Sequence, residues 1–261
     1  MEILTPILVF GIIALIMGIV LAVASKLFAI DKDPKIDEIL ENLSGANCGG
    51  CGYAGCGACA EAIVKGEASV DVCPGCSAEA LANIAKIMGV EVSGKVEKVA
   101  VVKCSGTDGN AFKKYNFDGT KTCSDVSALN VGDKLCVYAC LGYGDCARAC
   151  AYGAITFENG IAEINPDICV GCGVCEKICP KSVISILPRS AKVVVKCASK
   201  NKGIEVKDKC SVGCIACRIC EKNCPAQAIQ VIDNLAVIDY DKCTSCGLCA
   251  EKCPKKIIKS E

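Results

Sequence analysis

The chain has 261 residues, 26 of them cysteine, with 29 basic and 29 acidic side chains and neither histidine nor tryptophan. A cysteine at about every tenth position marks either a disulfide scaffold or a metal protein, and the C-x2-C clustering, the length and the lack of a secretory leader favour metal. Without histidine, Rieske-type centres, His-ligated haem and most His-based acid–base chemistry are excluded, and the balanced charge, with no basic patch interleaved with aromatics, argues against nucleic acid as a partner.

Residues 3–25 form an uncharged stretch of 23, enough for a helix to cross a hydrocarbon core of about 30 Å. No Lys or Arg precedes it, so the basic start of a signal peptide is missing. Lys26, Lys32 and Lys35 follow it, which by the positive-inside rule leaves the C-terminal bulk in the cytoplasm, where thiols stay reduced. The expectation is a single-pass anchor in the cytoplasmic membrane, meeting the lipid bilayer through residues 3–25. Ile36, Ile39, Leu40 and Leu43 stand at helical spacing and predict an amphipathic helix within 31–43.

Next come Cys48, Cys51, Cys56 and Cys73, spaced C-x2-C-x4-C-x16-C. The glycines among them let the backbone bend tightly and bring N–H groups near sulfur. Helices are expected over 58–65 and 78–88, a linker over 89–94 and a β-rich run over 96–104. A polar loop then extends to about Asp133 and holds Cys123.

Four further cysteine runs follow. The first, Cys136, Cys140, Cys146 and Cys150, has the spacing C-x3-C-x5-C-x3-C. The others are regular: Cys169, Cys172, Cys175 and Cys179-Pro180; Cys214, Cys217, Cys220 and Cys224-Pro225; Cys243, Cys246, Cys249 and Cys253-Pro254. Cys150 to Cys169 is nineteen positions, as is Cys224 to Cys243, and AITFENGIAEINPDIC parallels AIQVIDNLAVIDYDKC. Each of these segments predicts two short strands around a turn, at Asn159-Gly160 or Asn234. VVVKC at 193–197 parallels AVVKC at 100–104, so a whole β-plus-two-run unit is duplicated. In register, Cys140 matches Cys214 and Cys146 matches Cys220, while Tyr143 stands where Cys217 would be. Cys104 falls opposite Cys197, and Cys136 opposite Cys210.

The regular runs resemble the C-x2-C-x2-C-x3-C-P runs of bacterial two-cluster ferredoxins, in which the fourth cysteine of each run ligates the other [4Fe–4S] cluster. The resemblance implies one cluster on Cys214, Cys217, Cys220 and Cys253, and a second on Cys224, Cys243, Cys246 and Cys249. In the first unit it implies one on Cys150, Cys169, Cys172 and Cys175. The other is expected on Cys136, Cys140, Cys146 and Cys179, with Cys136 supplying the thiolate that Tyr143 cannot; here Ala151 replaces the usual Pro. Zinc would accept four thiolates, but paired zinc ribbons do not need the interleaved fourth cysteine.

The Cys48–Cys73 segment is similar to the small four-cysteine [4Fe–4S] domain of the Rnf complex B subunit and of some corrinoid iron–sulfur proteins. Together with the N-terminal helix, CSVGCIACRICEKNCP and NLAVIDYDKC, nearly the whole chain resembles the Rnf B subunit, the iron–sulfur subunit of a membrane-bound ion-translocating ferredoxin oxidoreductase. The implied fold class is α+β. Its expected domains are a transmembrane helix anchor over 1–30, a four-cysteine [4Fe–4S] domain over 31–94, and ferredoxin-like two-cluster units over 95–190 and 191–261.

Five [4Fe–4S] clusters are expected on twenty cysteines. Cys59, Cys76, Cys104, Cys123, Cys197 and Cys210 are left over, either as small buried hydrophobes or as ligands of a sixth cluster. The implied function is to relay electrons from reduced soluble ferredoxin to other Rnf complex subunits, and through them to NAD+ or a membrane carrier, coupled to Na+ or H+ movement. No catalytic residue and no complete substrate site are expected in this chain, which has no strand–GxGxxG–helix unit and no P-loop. The alternative is a membrane-tethered polyferredoxin serving a hydrogenase or dehydrogenase.

Charge is uneven along the chain. Residues 31–100 hold 6 basic and 11 acidic side chains, and residues 101–261 hold 22 and 17. Lys252, Lys255, Lys256 and Lys259 crowd the last run. They read either as a docking face for an acidic ferredoxin or as a solvated surface that offsets cluster charge.

Overall fold

The computed structural model describes residues 4–27, 33–91, 94 and 96–260. Ile3, Lys32, the start of the first amphipathic stretch and part of the 89–94 linker lie outside the described residues.

Helix α1 (Leu4–Leu27) has no acidic residue in its first turn and carries Lys26 in its last. Its Ile7–Lys26 segment has a mean hydropathy of 3.1 and none of it is buried. A helix apolar on every side needs an apolar surrounding, and 24 residues reach about 36 Å at 1.5 Å per residue. It is long and apolar enough to span a bilayer.

Three helices build the next body. Asp33 accepts from the Lys35 amide at 2.9 Å and Pro34 opens α2 (Pro34–Asn42), a favoured start. Helix α3 (Cys56–Val64) begins two residues before the expected 58 because the Asn47 side chain accepts from the Cys56 amide at 2.8 Å. Helix α4 (Ala78–Met88) is capped by the Ser77 hydroxyl and ends at Gly89, which takes the left-handed conformation. Their inward faces meet at Ile39, Ile63 and Ile84, all fully buried, and Cys56, Cys59, Cys73 and Cys76 share that core.

The rest is one plan built twice. Strand β1 (Lys98–Val102) opens the first unit. Within that unit come α5 (Cys123–Ala128), α6 (Asp145–Arg148), β2 (Ile155–Glu158), β3 (Ile161–Ile164), α7 (Val174–Ile178) and β4 (Ile184–Pro188). Strand β4 pairs antiparallel with β1, from Lys98↔Pro188 to Val102↔Ile184, and closes the unit. The second unit runs β5 (Val193–Val195), α8 (Gly203–Lys209), α9 (Ile219–Lys222), β6 (Ile229–Ile232), β7 (Leu235–Ile238), α10 (Leu248–Lys252) and β8 (Ile258–Ser260). Strand β8 closes it against β5. The hairpins β2–β3 and β6–β7 turn at Asn159-Gly160 and Asp233-Asn234. Both residues of each turn have positive φ, as the tightest hairpin turns require. Apolar cores form inside each unit around the cysteine runs.

The insert between β1 and the first run is not loop throughout. The Thr122 hydroxyl caps α5 by accepting from the Asp125 amide at 3.0 Å. The Asp145 carboxylate, far along the chain, accepts from the Cys123 and Ser124 amides at 2.9 and 3.0 Å. Elsewhere the insert crosses to the second unit: the Phe112 amide donates to Lys209 O at 3.1 Å, and the Ser211 amide to Asn110 O at 2.9 Å. Lys134 is 1 % exposed; its ammonium donates to Gly106 O at 2.9 Å and to Gly160 O at 3.0 Å, which satisfies a buried charge.

The four-cysteine body rests on the first unit. A Cβ at Gly50 would stand 2.8 Å from the Cys172 Cβ, so only glycine allows this approach. Tyr152 donates to the Ser44 hydroxyl at 3.2 Å across the same contact.

Candidate metal centres

In the second unit, the bend before α9 carries Cys214 and Cys217, α9 carries Cys220, and the turn after α10 carries Cys253. All four line one cavity with an empty volume of about 350 Å³, its open mouth included. Cys224, Cys243, Cys246 and Cys249 line another of about 340 Å³. In the first unit, Cys150, Cys169, Cys172 and Cys175 line a third, also about 340 Å³. Ala216, Arg218 and Ser245 hold positive φ within these loops, as do Gly171, Gly173 and Gly247, which bends each run around its cavity.

The surroundings suit thiolate ligands. Backbone amides donate to sulfur: Ala100 N–H and Gly171 N–H to Cys169 Sγ at 3.3 and 3.4 Å, and Ala228 N–H to Cys224 Sγ at 3.3 Å. Such donors stabilise negative charge on sulfur and tune a metal centre. Burial pushes the Cys220 thiol up to about 11 and the Cys146 and Cys175 thiols up to about 12. Burial disfavours the thiolate at these positions unless a cation compensates it, as a bound metal would. Among the described residues, no three cysteine, aspartate or glutamate side chains converge as they would on a single metal ion. The thiols of each cavity stand around a larger space, which fits an inorganic cluster.

Cys51, Cys56 and Cys73 gather around Cys59 in the N-terminal body. Cys73 is held down to about 5, chiefly by a hydrogen bond from the Cys76 thiol, against the opposing effect of burial. Cys48 lies near Tyr152 and Cys172, and Tyr152 also neighbours Cys73. The thiols of the four-cysteine body and of the third cavity therefore approach each other where Gly50 meets Cys172.

Cys146 is neighboured by Cys140, Cys123, Cys179 and Cys175. Cys136 lines a cavity with Cys104, Cys197 and Cys210. Tyr143 turns its hydroxyl to Asp133 at 2.8 Å and its ring edge-on to Phe117, with centroids 6.0 Å apart. Cys123 shares a buried cluster with Leu141 and abuts Tyr143. Along the sequence Cys123 is surplus; the one signal pointing to it is the thiolate missing at Tyr143.

Paired cysteine cavities in a duplicated strand–helix frame, joined to a four-cysteine body and an apolar helix, define a multicluster iron–sulfur electron carrier. Family models agree: residues 43–74 match one described as "Putative Fe-S cluster", and residues 134–183 and 213–258 each match a 4Fe-4S dicluster domain. Among curated relatives, the B subunit of the Na(+)-translocating ferredoxin:NAD(+) oxidoreductase complex of Acetobacterium woodii is 43 % identical, over 92 % of this chain and 73 % of its own. The B subunit of the ion-translocating oxidoreductase complex of Methanosarcina acetivorans is 42 % identical, over 87 % of each chain. The B subunit of the proton-translocating ferredoxin:NAD(+) oxidoreductase complex of Clostridium ljungdahlii is 42 % identical, over 90 % of this chain and 84 % of its own. The chain belongs to the family of Rnf complex B subunits, the iron–sulfur subunits of ion-translocating oxidoreductase complexes.

Proposed function

We propose that this subunit takes electrons from reduced soluble ferredoxin and relays them to the other subunits of its complex, and so ultimately to NAD+ or a membrane carrier. The observation that carries this reading is the three cavities of near-equal volume, each lined by four cysteines drawn from two interleaved runs. We assign [4Fe–4S] clusters to those three sets, to Cys48, Cys51, Cys56 and Cys73, and to the group of Cys140, Cys146 and Cys179 with one further thiolate. When bound, such a cluster supplies one-electron redox chemistry with little rearrangement.

The chain's own part is to hold, insulate and tune. Thiolates fix the positions, Val183, Ile184, Ile229 and Ile257 exclude water, and amide donors set the charge felt by sulfur. The cluster-bearing part is assigned to the cytoplasmic side of the membrane, on the strength of Lys26 and Lys35 following the apolar helix.

Electron entry is assigned to the second unit. Cys217 and Cys246 are the exposed cysteines and both lie there, so a partner reaches those ligands closely. Lys252, Lys255, Lys256 and Lys259 belong to the same unit, and Lys255 lines the Cys217 cavity. Lys256 donates to Glu251 O and Lys255 to Ser211 O, which holds their cationic heads on this surface. Opposite charge on an acidic ferredoxin speeds encounter, and salt screens the effect.

The test is reduction of the anaerobically purified full chain by reduced ferredoxin, followed by stopped flow. Rapid bleaching is expected. Changing the four lysines to Gln should slow it and flatten its salt dependence. Bleaching by dithionite but not by ferredoxin would refute the relay role, and an unchanged rate in the lysine variant would refute the docking face.

A further inference from the structure

Among the described residues, a further four-cysteine cavity lies outside the five sets. Its walls include Cys104, Cys136, Cys197 and Cys210, and its empty volume, mouth included, is about 420 Å³. It is slightly larger than the other three four-cysteine cavities, at about 340 to 350 Å³. Surplus cysteines serving only as packing would fill such a space, since protein interiors are close-packed.

The cavity lies between the two units and obeys their repeat. Cys104 follows β1 and Cys197 follows β5. Cys136 stands four residues before Cys140, and Cys210 four before Cys214. The hydrogen bonding repeats as well: the Cys140 amide donates to Cys104 Sγ at 3.4 Å, and the Cys214 amide to Cys197 Sγ at 3.4 Å. Gly106 N–H adds a donor to Cys104 at 3.3 Å. These are the amide–sulfur contacts seen at Cys169 and Cys224. The insert closes the site, because Ala111 bridges to Cys210 in an antiparallel pair.

The geometry points to a sixth [4Fe–4S] cluster, ligated by Cys104, Cys136, Cys197 and Cys210, at the junction of the two ferredoxin-like units. It follows that Cys136 is not available to the Cys140, Cys146 and Cys179 set. The fourth ligand of that set is Cys123, which neighbours Cys146 and is positioned by Asp145 through the Cys123 and Ser124 amides. The insert thus replaces the thiolate lost at Tyr143 and frees Cys136 for the junction. Each end of the new site touches a ligand of a neighbouring set, through Cys140 on one side and Cys214 on the other. The site joins the two units into one electron path. This inference rests on the cluster-carrier reading above.

The test is iron and acid-labile sulfide per chain, with EPR, on the full chain purified anaerobically in detergent. About 24 of each is expected from six four-iron clusters. Cys197→Ala with Cys210→Ala should lower both to about 20 and leave the signals of the other centres in place. Cys123→Ala should convert the Cys140 centre to a three-iron form or remove it, and Tyr143→Cys in that background should restore it. A wild-type count of about 20, unchanged by the Cys197 and Cys210 substitutions, would overturn the sixth site and leave the five-cluster carrier standing. Loss of the Cys140 centre in Cys136→Ala but not in Cys123→Ala would overturn the ligand exchange. Zinc in place of iron and sulfide would overturn the carrier reading itself. If the double variant does not fold, the wild-type count decides alone.

Discussion

The contact between Gly50 and Cys172 can be probed with a single methyl group. Gly50 does not have the positive φ of Gly49 and Gly52, so alanine meets no backbone objection there. Its Cβ, however, would stand 2.8 Å from Cys172 Cβ and 2.9 Å from Cys172 O. Carbon atoms pack at about 3.5–4.0 Å, so the new methyl is about 1 Å too close to a residue that its cavity walls hold in place. Overpacking of this kind costs about 1–3 kcal/mol, equivalent to about a 5–150-fold shift in an equilibrium. The cheapest relief is for the four-cysteine body to lift off the first unit, which also strains the Tyr152–Ser44 hydrogen bond. Hydrogen exchange by mass spectrometry is the assay. Gly50→Ala should speed exchange in peptides covering 44–50, 150–153 and 171–173, while the α2–α4 core exchanges as before. Gly57→Ala is the control: its Cβ would have nothing within 4 Å, and alanine inside a helix should stabilise by about 0.5–1 kcal/mol. Equal exchange at the three contact segments in Gly50→Ala and wild type would show that the two bodies do not dock through this face.

Two further outcomes follow from buried polar groups. Lys134→Met leaves the Gly106 and Gly160 carbonyls without their donor, at about 1–3 kcal/mol for each; it also removes a positive charge felt at Cys140. The denaturation midpoint should fall and the Cys140 centre should become harder to reduce, so an unchanged potential would refute the electrostatic part. Burial alone would raise the Asp145 carboxyl. The Cys123 and Ser124 amides, the Ser124 hydroxyl and Arg148 outweigh it and hold the group below the usual carboxylate range. Because the folded value is depressed, its contribution is present above the ordinary carboxylate pKa of about 3.9 and is lost as pH falls through the lower folded value. Asp145→Ala should loosen the Cys123 turn by about 3 kcal/mol at neutral pH. Exchange of the Cys123 and Ser124 amides measures this, and no change there would refute the anchoring role.

Much of this architecture is written locally. A regular C-x2-C-x2-C run constrains its own loop, so the residues lining three of the cavities come from spacings visible along the chain. Asn159-Gly160 announces its hairpin because both positions need positive φ. The apolar helix is evident from twenty-three consecutive uncharged residues, since bilayer thickness sets that length. Helix α3 starts two residues early because the Asn47 side chain, outside any helical pattern, supplies a partner for the Cys56 amide.

Reading along the chain thus yields the inventory: a membrane-length helix, a four-cysteine body, a duplicated two-run unit and a thiolate missing at Tyr143. Which distant groups meet is a matter of how the units pack. Cys104 and Cys136 share a cavity with Cys197 and Cys210 only because the insert pairs with the second unit. Cys123 reaches Cys146 only because Asp145, 22 positions further along, holds the start of α5. Gly50 touches Cys172 only when two separately cored bodies dock. Spacing rules act over one turn of chain, whereas these contacts depend on how whole units close against each other, and no local pattern encodes that.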